Sequence, residues 1–458
     1  MTVSLEALRE KVHAQKTLIP SLYGNVDFDR TPERFTDEAG VKSILPVEFE
    51  RRYRGDILSD PDRVERARLY TMLGDTVADA YAARAKEFGV RPLINMLTQA
   101  CDQGVDSVEG APPELAAFIA DMERVPEWLD MKLVRKGARI NRNYMANLTP
   151  FAIRGAFIAT FMNKYSGMPM ALTGALSGES SVRRVNETAS FFTTATMPGA
   201  LERHGVGFKA AAMVRLMHSM VRFNLLTRSK DWDIDVYGIP IPQVDQMPAG
   251  TIPAFITAMN LLERGRTKFT ADERAIVELC RYQSYLLGLP EDLLPDTPRG
   301  IFDVMLTYAA TLRDAYDDET CGELVRSTMS AYRPKDRSVK SLVYNTVEKS
   351  FSKVIFTRVF LRGSDKSMAT KMGVKPNLFD YALFAAANLH VLPRMHADMI
   401  ARRLPIANWI SDRILVKRLN RLLVEYGHPE YVTDASRYRT DQESPSGGKA
   451  GQGRTQGA

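Results

Sequence analysis

The sequence predicts an all-α protein, and both its composition and the spacing of its apolar residues indicate this class. Leu, Ala, Met and Arg are abundant and long runs of β-branched residues are missing, which favours helix over strand. With 458 residues, 45% of them apolar and 25% charged, the chain can bury a large globular core. We divide it into an N-terminal helical extension over 1–60, a main helical domain over 61–437 and a disordered tail over 438–458.

Glycine, proline and capping residues set the bounds of the helices predicted in the first half. The first 60 residues alternate charged and proline-containing pieces, which predicts one or two helices joined by irregular links. A strong helical pattern then runs from Arg63 to Phe88, and Gly89 is well placed to cap its C-terminal end. Further helices are predicted over 91–102, from Pro112-Pro113 onward, over 131–145 and, as buried core helices, within 151–176.

In the second half, the central pair of helices is separated by a clear break. Helical patterns over 181–197 and from Phe208 to Leu226 flank Pro198-Gly199, which a helix tolerates poorly. The stretch 230–250 is rich in Pro, Gly and Asp, which predicts a loop with one short extended piece. Helices are then predicted over 251–264, 270–287 with a capped start at Thr270, 302–332, 338–360, 377–390 and 393–426, the last opened by Pro393.

Charge and cysteine content narrow the classes of partner. The formal charge of +6 is spread along the chain, and no basic block indicates a nucleic-acid surface. The three cysteines are far apart, which suits a reducing compartment better than a disulfide framework or a zinc site. No secretory signal and no bilayer-spanning apolar stretch is visible. We therefore expect a cytoplasmic protein, with peripheral membrane contact left open and the oligomeric state unassigned.

Asp75 and Asp79 lie one helical turn apart in the pattern GDTVADAYAAR. Two acids at this spacing could bind a cation or take part in acid–base chemistry. Such pairs more often form a solvated helix face, and this is the interpretation that the spacing alone favours.

A polar stripe on the second central helix contains Arg215, His218, Ser219 and Arg222. One interpretation is the solvent-facing side of an amphipathic helix. The other is a haem site, because imidazole is a common axial ligand to haem iron and the two arginines could supply cations for the haem propionates. The spacing leaves both interpretations open.

The first central helix would supply the opposite wall of such a site. Arg184, Glu187 and Thr188 fall at helical spacing and share a face. Because two helices joined by a short turn pack side by side, this face would lie toward the open side of the iron. Phe191 and Phe192 would add an apolar wall.

These residues carry a resemblance to a known family. RRVNETASFF, thirty residues from Thr188 to His218, and VRLMHSMVR together resemble the latex-clearing rubber oxygenases and their relatives, including the fungal MpaB-type oxygenases. GDTVADA, VPEWLD, GIPIPQVDQ and YLLGLPEDLLP follow the family in the same order. The resemblance spans roughly residues 60–360.

The resemblance implies a globin-like helical core, with additional helices around one b-type haem. It implies His218 as the proximal iron ligand, Arg184 and Thr188 on the distal side, and Arg215 and Arg222 as the flanking cations. Rubber-cleaving members use dioxygen to split carbon–carbon double bonds of polyisoprene, and MpaB-type members act on a prenyl side chain. We therefore expect a haem b-dependent oxygenase that cleaves or oxygenates a C=C bond of an apolar small molecule.

The sequence departs from the rubber-cleaving pattern in three ways. Glu187 stands where those enzymes carry a distal lysine, the range 151–178 lacks the upstream acid, and no export signal is visible. Glu187 could replace the missing acid as a base, or it could be salt-bridged to Arg184 and purely structural. Two other hypotheses therefore stay open, a haem-binding sensor, carrier or peroxidase-like protein without C=C cleavage, and a cofactor-free helical interaction protein.

Overall fold

The computed structural model describes residues 3–173, 178–361 and 367–427, and the regular structure in these ranges is helical. Extended pairing there is limited to two isolated bridges, Phe35 with Leu312 and Ser43 with Arg313. The all-α prediction is confirmed, whereas the globin-like core and the domain boundaries stay predictions. The tail predicted over 438–458 lies outside the described residues.

The α-helices are numbered here in chain order. They are α1 Leu5–Leu18, α2 Pro20–Tyr23, α3 Val47–Phe49, α4 Gly55–Leu58, α5 Pro61–Thr71, α6 Thr76–Ala83, α7 Ala85–Phe88, α8 Val90–Gln103, α9 Pro113–Glu123, α10 Met131–Asn147, α11 Thr149–Ile158, α12 Lys164–Leu172, α13 Gly178–Thr194, α14 Val206–Arg228, α15 Ile234–Tyr237, α16 Gln243–Glu263, α17 Ala271–Leu286, α18 Pro298–Thr311, α19 Glu323–Ser330, α20 Val339–Ile355, α21 Met368–Lys371, α22 Leu378–Ala401 and α23 Pro405–Tyr426.

The prediction of one helix over 63–88 is wrong, because this stretch forms three shorter helices, α5, α6 and α7. Asp75 caps the start of α6, and its Oδ1 accepts a hydrogen bond from the backbone N–H of Ala78 at 3.2 Å. Gly74 passes so close to Tyr23 that a Cβ at this position would lie 2.1 Å from the Tyr23 Oη. The break therefore places Asp75 at a helix end, inside the protein.

Two proline-rich segments also differ from the prediction. The supposed loop 230–250 contains α15, and α16 already begins at Gln243 and runs through Pro248 and Pro253. Likewise α22 continues through Pro393, and Pro405 opens α23 instead. The pattern predicted as one helix over 302–332 is divided into α18 and α19.

The core is built around α14. Fifteen of its residues are buried, and it packs against α6, α8, α13 and α17. Leu8, Val12 and Tyr23 from the N-terminal extension belong to the same apolar cluster as Phe208 and Phe223 of α14. A helix enclosed on most sides carries its polar residues into the interior, so the Arg215–Arg222 segment is an internal element.

No helix in the described ranges combines the length and apolar character needed to cross a bilayer. The predicted break at Pro198-Gly199 is confirmed, since α13 ends at Thr194 and α14 begins at Val206. The predicted capped start is confirmed too, because Thr270 and Glu273 exchange hydrogen bonds in a capping box.

Candidate functional site

Two buried ion pairs join α14 to α6. Arg215 meets the Asp75 carboxylate in a bidentate arrangement, with Nε 2.5 Å from Oδ2 and Nη2 2.9 Å from Oδ1. The same Nη2 lies 2.7 Å from Oδ2 of Asp121. The prediction that Asp75 lies on a solvated helix face is therefore wrong, because Asp75 is buried and pairs with Arg215, 140 positions away in the chain.

The second pair, Asp79 with Arg222, is completely enclosed, and both side chains are 0% exposed. The Tyr23 hydroxyl donates to Oδ2 of Asp79 at 2.6 Å. Arg222 also donates to the backbone carbonyls of Pro240 at 3.0 Å and Ile241 at 2.6 Å. Its guanidinium thus fastens α14 to α6 and to the segment that leads into α16.

Burial acts differently on the two carboxyl groups. Burial opposes ionisation of Asp75, but Arg215 and the Ala78 backbone N–H outweigh it and hold the pKa of this carboxyl below its ordinary value. Burial raises the pKa of Asp79 against the pull of Arg222. Gly288 seals the first pair, since a Cβ there would lie 2.5 Å from an Asp75 oxygen.

These contacts correct one expectation about Arg215 and Arg222. The two side chains do not face solvent, so the amphipathic-helix interpretation is wrong. Their guanidinium groups are bonded to carboxylates and carbonyls, and their role as cations for haem propionates stays a prediction. Their place in the structure is to hold α14, and therefore His218, in position.

His218 is oriented by a pair of glutamines from α16. Its Nδ1 lies 2.9 Å from Oε1 of Gln246, which can only accept, so the proton is on Nδ1. The Gln246 amide in turn donates to Oε1 of Gln243 at 3.0 Å, which fixes which amide atom faces the ring. The Nε2 lone pair is left available as a ligand.

His218 is a neutral imidazole at pH 7. Burial lowers its pKa to about 4, and the positive charges of Arg222 and Arg184 act in the same direction. A neutral imidazole is the form that coordinates metal.

The facing helix α13 contacts α14 at the level of His218. Arg184 Nη1 lies 3.3 Å from Sδ of Met217 and 3.3 Å from Oε2 of Glu187. Thr188 follows on the same helix and is half-buried, as is Glu187. The structure therefore brings together Arg184, Glu187 and the His218 region, while it turns Arg215 and Arg222 toward α6.

One strip in the middle of α14 keeps accessible surface between enclosed neighbours. Val214, Met217 and His218 are half-buried at helical spacing, and Phe192 of α13 is half-buried as well. The accessible strip therefore lies where Arg184 meets Met217, next to the imidazole. Apolar neighbours of this kind suit an apolar ligand.

The donor set fits haem through its axial ligand. The macrocycle supplies four nitrogens to the iron, so one protein imidazole is sufficient to hold it, and His218 meets that requirement in protonation and in position. In the part of the chain that the structure describes, no group of three or more His, Cys, Asp or Glu side chains is placed to hold a metal ion.

Sequence reasoning missed the supporting residues of this site. Gln246 and Gln243 lie within GIPIPQVDQ, which resembles the family but was interpreted as a loop. Tyr23 and Asp121 carried no signal, because each acts on a partner far away in the chain. A helical spacing from Gln243 to Gln246 was the one feature that could have indicated α16.

Comparisons with known proteins show similarity to one family of oxygenases. The profile of the family described as "ER-bound oxygenase mpaB/B'/Rubber oxygenase, catalytic domain" matches residues 142–347, which include the whole of α13, α14 and α16. A rubber oxygenase from Streptomyces sp. (strain K30) is 24% identical over 229 residues, 49% of this chain and 55% of that protein. The chain thus matches about half the length of this relative.

The fold of the chain is also similar to that of a solved structure. Latex clearing protein LCP in the closed state superimposes with a TM-score of 0.53 at 19% identity, covering 78% of this chain and 91% of the other. Residues 142–347 of the chain are thus similar to the catalytic domains of the mpaB and rubber oxygenase family, and the fold is similar to that of latex clearing protein.

Proposed function

We propose that this protein is a haem b-dependent oxygenase that uses dioxygen to cleave or oxygenate a C=C bond of an isoprenoid. The observation that carries the proposal is the His218 arrangement, a neutral imidazole whose Nδ1–H is held by Gln246 and whose Nε2 is available beside a partly accessible strip of α14. The match of residues 142–347 to an oxygenase family supports the reaction class, and the rubber oxygenase relative suggests polyisoprene chemistry.

When bound, the haem would supply the activation of dioxygen. His218 would hold the haem through its imidazole, and Gln246 would keep the ring in the required tautomer and orientation. Met217 and Phe192 would exclude water from the reacting double bond. Arg184 would hold Glu187 in place, and Glu187 would accept a proton at its carboxylate. An isoprenoid smaller than polyisoprene is the substrate that we favour.

A haem-binding protein without C=C cleavage is the second candidate. The observation in its favour is the contact between Glu187 Oε2 and Arg184 Nη1 at 3.3 Å, because an ion-paired carboxylate has less reason to act as a base. The cofactor-free interaction protein loses its premise, since Arg215 and Arg222 do not form a solvent-facing stripe.

The proposal is tested by an absorption spectrum and a product analysis. The protein is expressed with a haem precursor, and the purified sample is scanned for a Soret band and titrated with haemin. It is then incubated with dioxygen and either polyisoprene latex or a short isoprenoid. We expect a Soret band and oxygen-dependent carbonyl products. A protein that takes up no haemin would overturn both candidates, and haem without any product would favour the second.

Replacing Gln246 by leucine should weaken haemin binding by about 10–100-fold, because the imidazole loses the acceptor that fixes its tautomer. The measurement is a haemin titration followed at the Soret band. Gln283→Leu is the matched control, since Gln283 is an equally buried glutamine in α17. Equal affinities for Gln246→Leu and the parent would show that Gln246 does not support the ligand.

Replacing Glu187 by glutamine should leave haem bound but slow turnover by on the order of 100-fold if the carboxylate accepts a proton. Substrate-dependent oxygen uptake by the haem-loaded protein measures this. Glu202→Gln is a control, because Glu202 also pairs with an arginine but on the surface. An unchanged rate in Glu187→Gln would return this residue to a structural role.

A further inference from the structure

The C-terminal helical hairpin, α22 with α23, presents an unusually apolar outer surface. Its large exposed apolar side chains define the hairpin face, which comprises Leu389, Leu392, Met399, Ile400, Leu404, Ile406, Trp409, Ile410 and Ile414. Leu389 is 81% exposed, Ile406 77% and Trp409 59%. Single exposed apolar residues are ordinary, but a continuous set along two helices marks a contact surface.

The inner side of the hairpin shows how little of α22 the protein covers. The residues that α22 buries form a narrow stripe, Asp380, Ala387, Val391 and Asp398. Apolar residues lie on both flanks of this stripe and remain exposed. Because a helix that is apolar on most sides is normally covered, the hairpin face is a surface made for a partner.

The charges of the hairpin are unevenly distributed. From Leu378 to Tyr426 it carries seven cations and four acids, and the acids are Asp380, Asp398, Asp412 and Glu425. Three of these acids pair with the body of the protein, since Asp380 lies 3.3 Å from Lys353 of α20, Asp398 meets Arg139 at 2.7 Å and Asp412 meets Arg142 at 2.7 Å. The fourth, Glu425, is exposed near the end of α23.

Most of the charged side chains exposed on the outer surface of the hairpin are therefore cations. They are Arg394, Arg403, Arg413, Lys417 and Arg421. Arg413 lies over the Trp409 ring at 4.6 Å, which places a cation and an interfacial aromatic side by side. The partner of this surface must therefore be both apolar and anionic.

We propose that the hairpin face docks on an anionic lipid surface. Exposed isoleucines and leucines would enter the boundary between headgroups and acyl chains, Trp409 would lie at the headgroup level, and the cations would meet lipid phosphates. A second copy of this chain fits less well, because a symmetric contact would bring the same cations against each other.

The proposed orientation has a consequence for the rest of the molecule. The inner side of α23 packs through Leu415 and Leu419 with Ala146 and Met197, and Met197 lies just beyond the end of α13. Lipid bound at the hairpin face would therefore lie one helix away from α13. The inference rests on the hairpin alone and does not depend on the proposed function.

Vesicle flotation of the full-length protein tests the proposal. One set of vesicles contains phosphatidylcholine alone, and the other adds phosphatidylglycerol. We expect binding to the anionic set, and a loss on the order of 100-fold in affinity when Arg413, Lys417 and Arg421 are all replaced by glutamate. The control replaces Lys11, Arg51 and Lys132, equally exposed cations elsewhere, by glutamate and should bind as the parent does.

Trp409 provides a second measurement on the same samples. Its fluorescence should shift to shorter wavelength with anionic vesicles, and the shift should disappear in Trp409→Phe. Equal binding to both vesicle sets would overturn the proposal, as would a monomer that binds neither. A dimer in light scattering that separates in Ile406→Asp with Ile410→Asp would show instead that the hairpin face is a self-interface.

Discussion

Replacing His218 by alanine should remove haem from the protein by weakening its binding more than about 100-fold, beyond the effect of an outer partner such as Gln246. The reason is that the imidazole is the nitrogen donor that α14 would offer to the iron, and its Nδ1–H is already held by Gln246. The measurement is the Soret absorbance per protein after purification, followed by titration of the haem-free sample with haemin.

Two controls separate loss of the ligand from loss of the fold. His13→Ala removes a half-buried imidazole that pairs with Asp29 at the surface, and it should keep its full haem content. Imidazole added to His218→Ala should restore part of the Soret band by entering the space left by the ring. Full haem content in His218→Ala without added imidazole would show that another residue holds the iron.

Local signals were sufficient for the helices that begin at capping residues. The Thr270–Glu273 capping box and the start of α9 after Pro112 were predicted because their stabilising contacts lie within four residues. The same local rules failed where packing decides. α16 and α22 continue through Pro248 and Pro393, although an internal proline costs about 3 kcal/mol, because contacts with α17 and α20 hold these helices.

The candidate site was predictable only as a set of residue types on two helices. Spacing places Arg215, His218 and Arg222 near one another on α14, but it does not say which neighbour each side chain meets. The pairing of Arg215 with Asp75 joins residues 140 positions apart, and the helix break at Gly74 that allows it depends on Tyr23. Whether a charged side chain is buried depends on such distant partners. The sequence pattern therefore predicts solvent-exposed side chains at positions where the protein has a buried ion pair.

Replacing Asp79 by asparagine should lower the free energy of unfolding by about 3–5 kcal/mol, because it leaves the Arg222 charge buried without its carboxylate. Arg222 and Asp79 are both 0% exposed, so water cannot take the place of the lost partner. Tyr23 also loses the charged acceptor of its hydroxyl. The measurement is urea unfolding of the haem-free protein at neutral pH, comparing midpoints at constant m-value.

A matched control uses an exposed pair of the same chemistry. Glu323 lies 3.1 Å from Arg326 at the surface, so Glu323→Gln should change stability by less than about 1 kcal/mol. Asp79→Leu combined with Arg222→Met should recover much of the loss, since it removes both buried charges at once.

If Asp79→Asn is no more destabilising than Glu323→Gln, the carbonyl partners of Arg222 are sufficient to stabilise its charge and the ion pair does not secure α14. If the double variant recovers stability but still binds haem poorly, the arginine's contacts to Pro240 and Ile241 are what hold the His218 segment in register with α16.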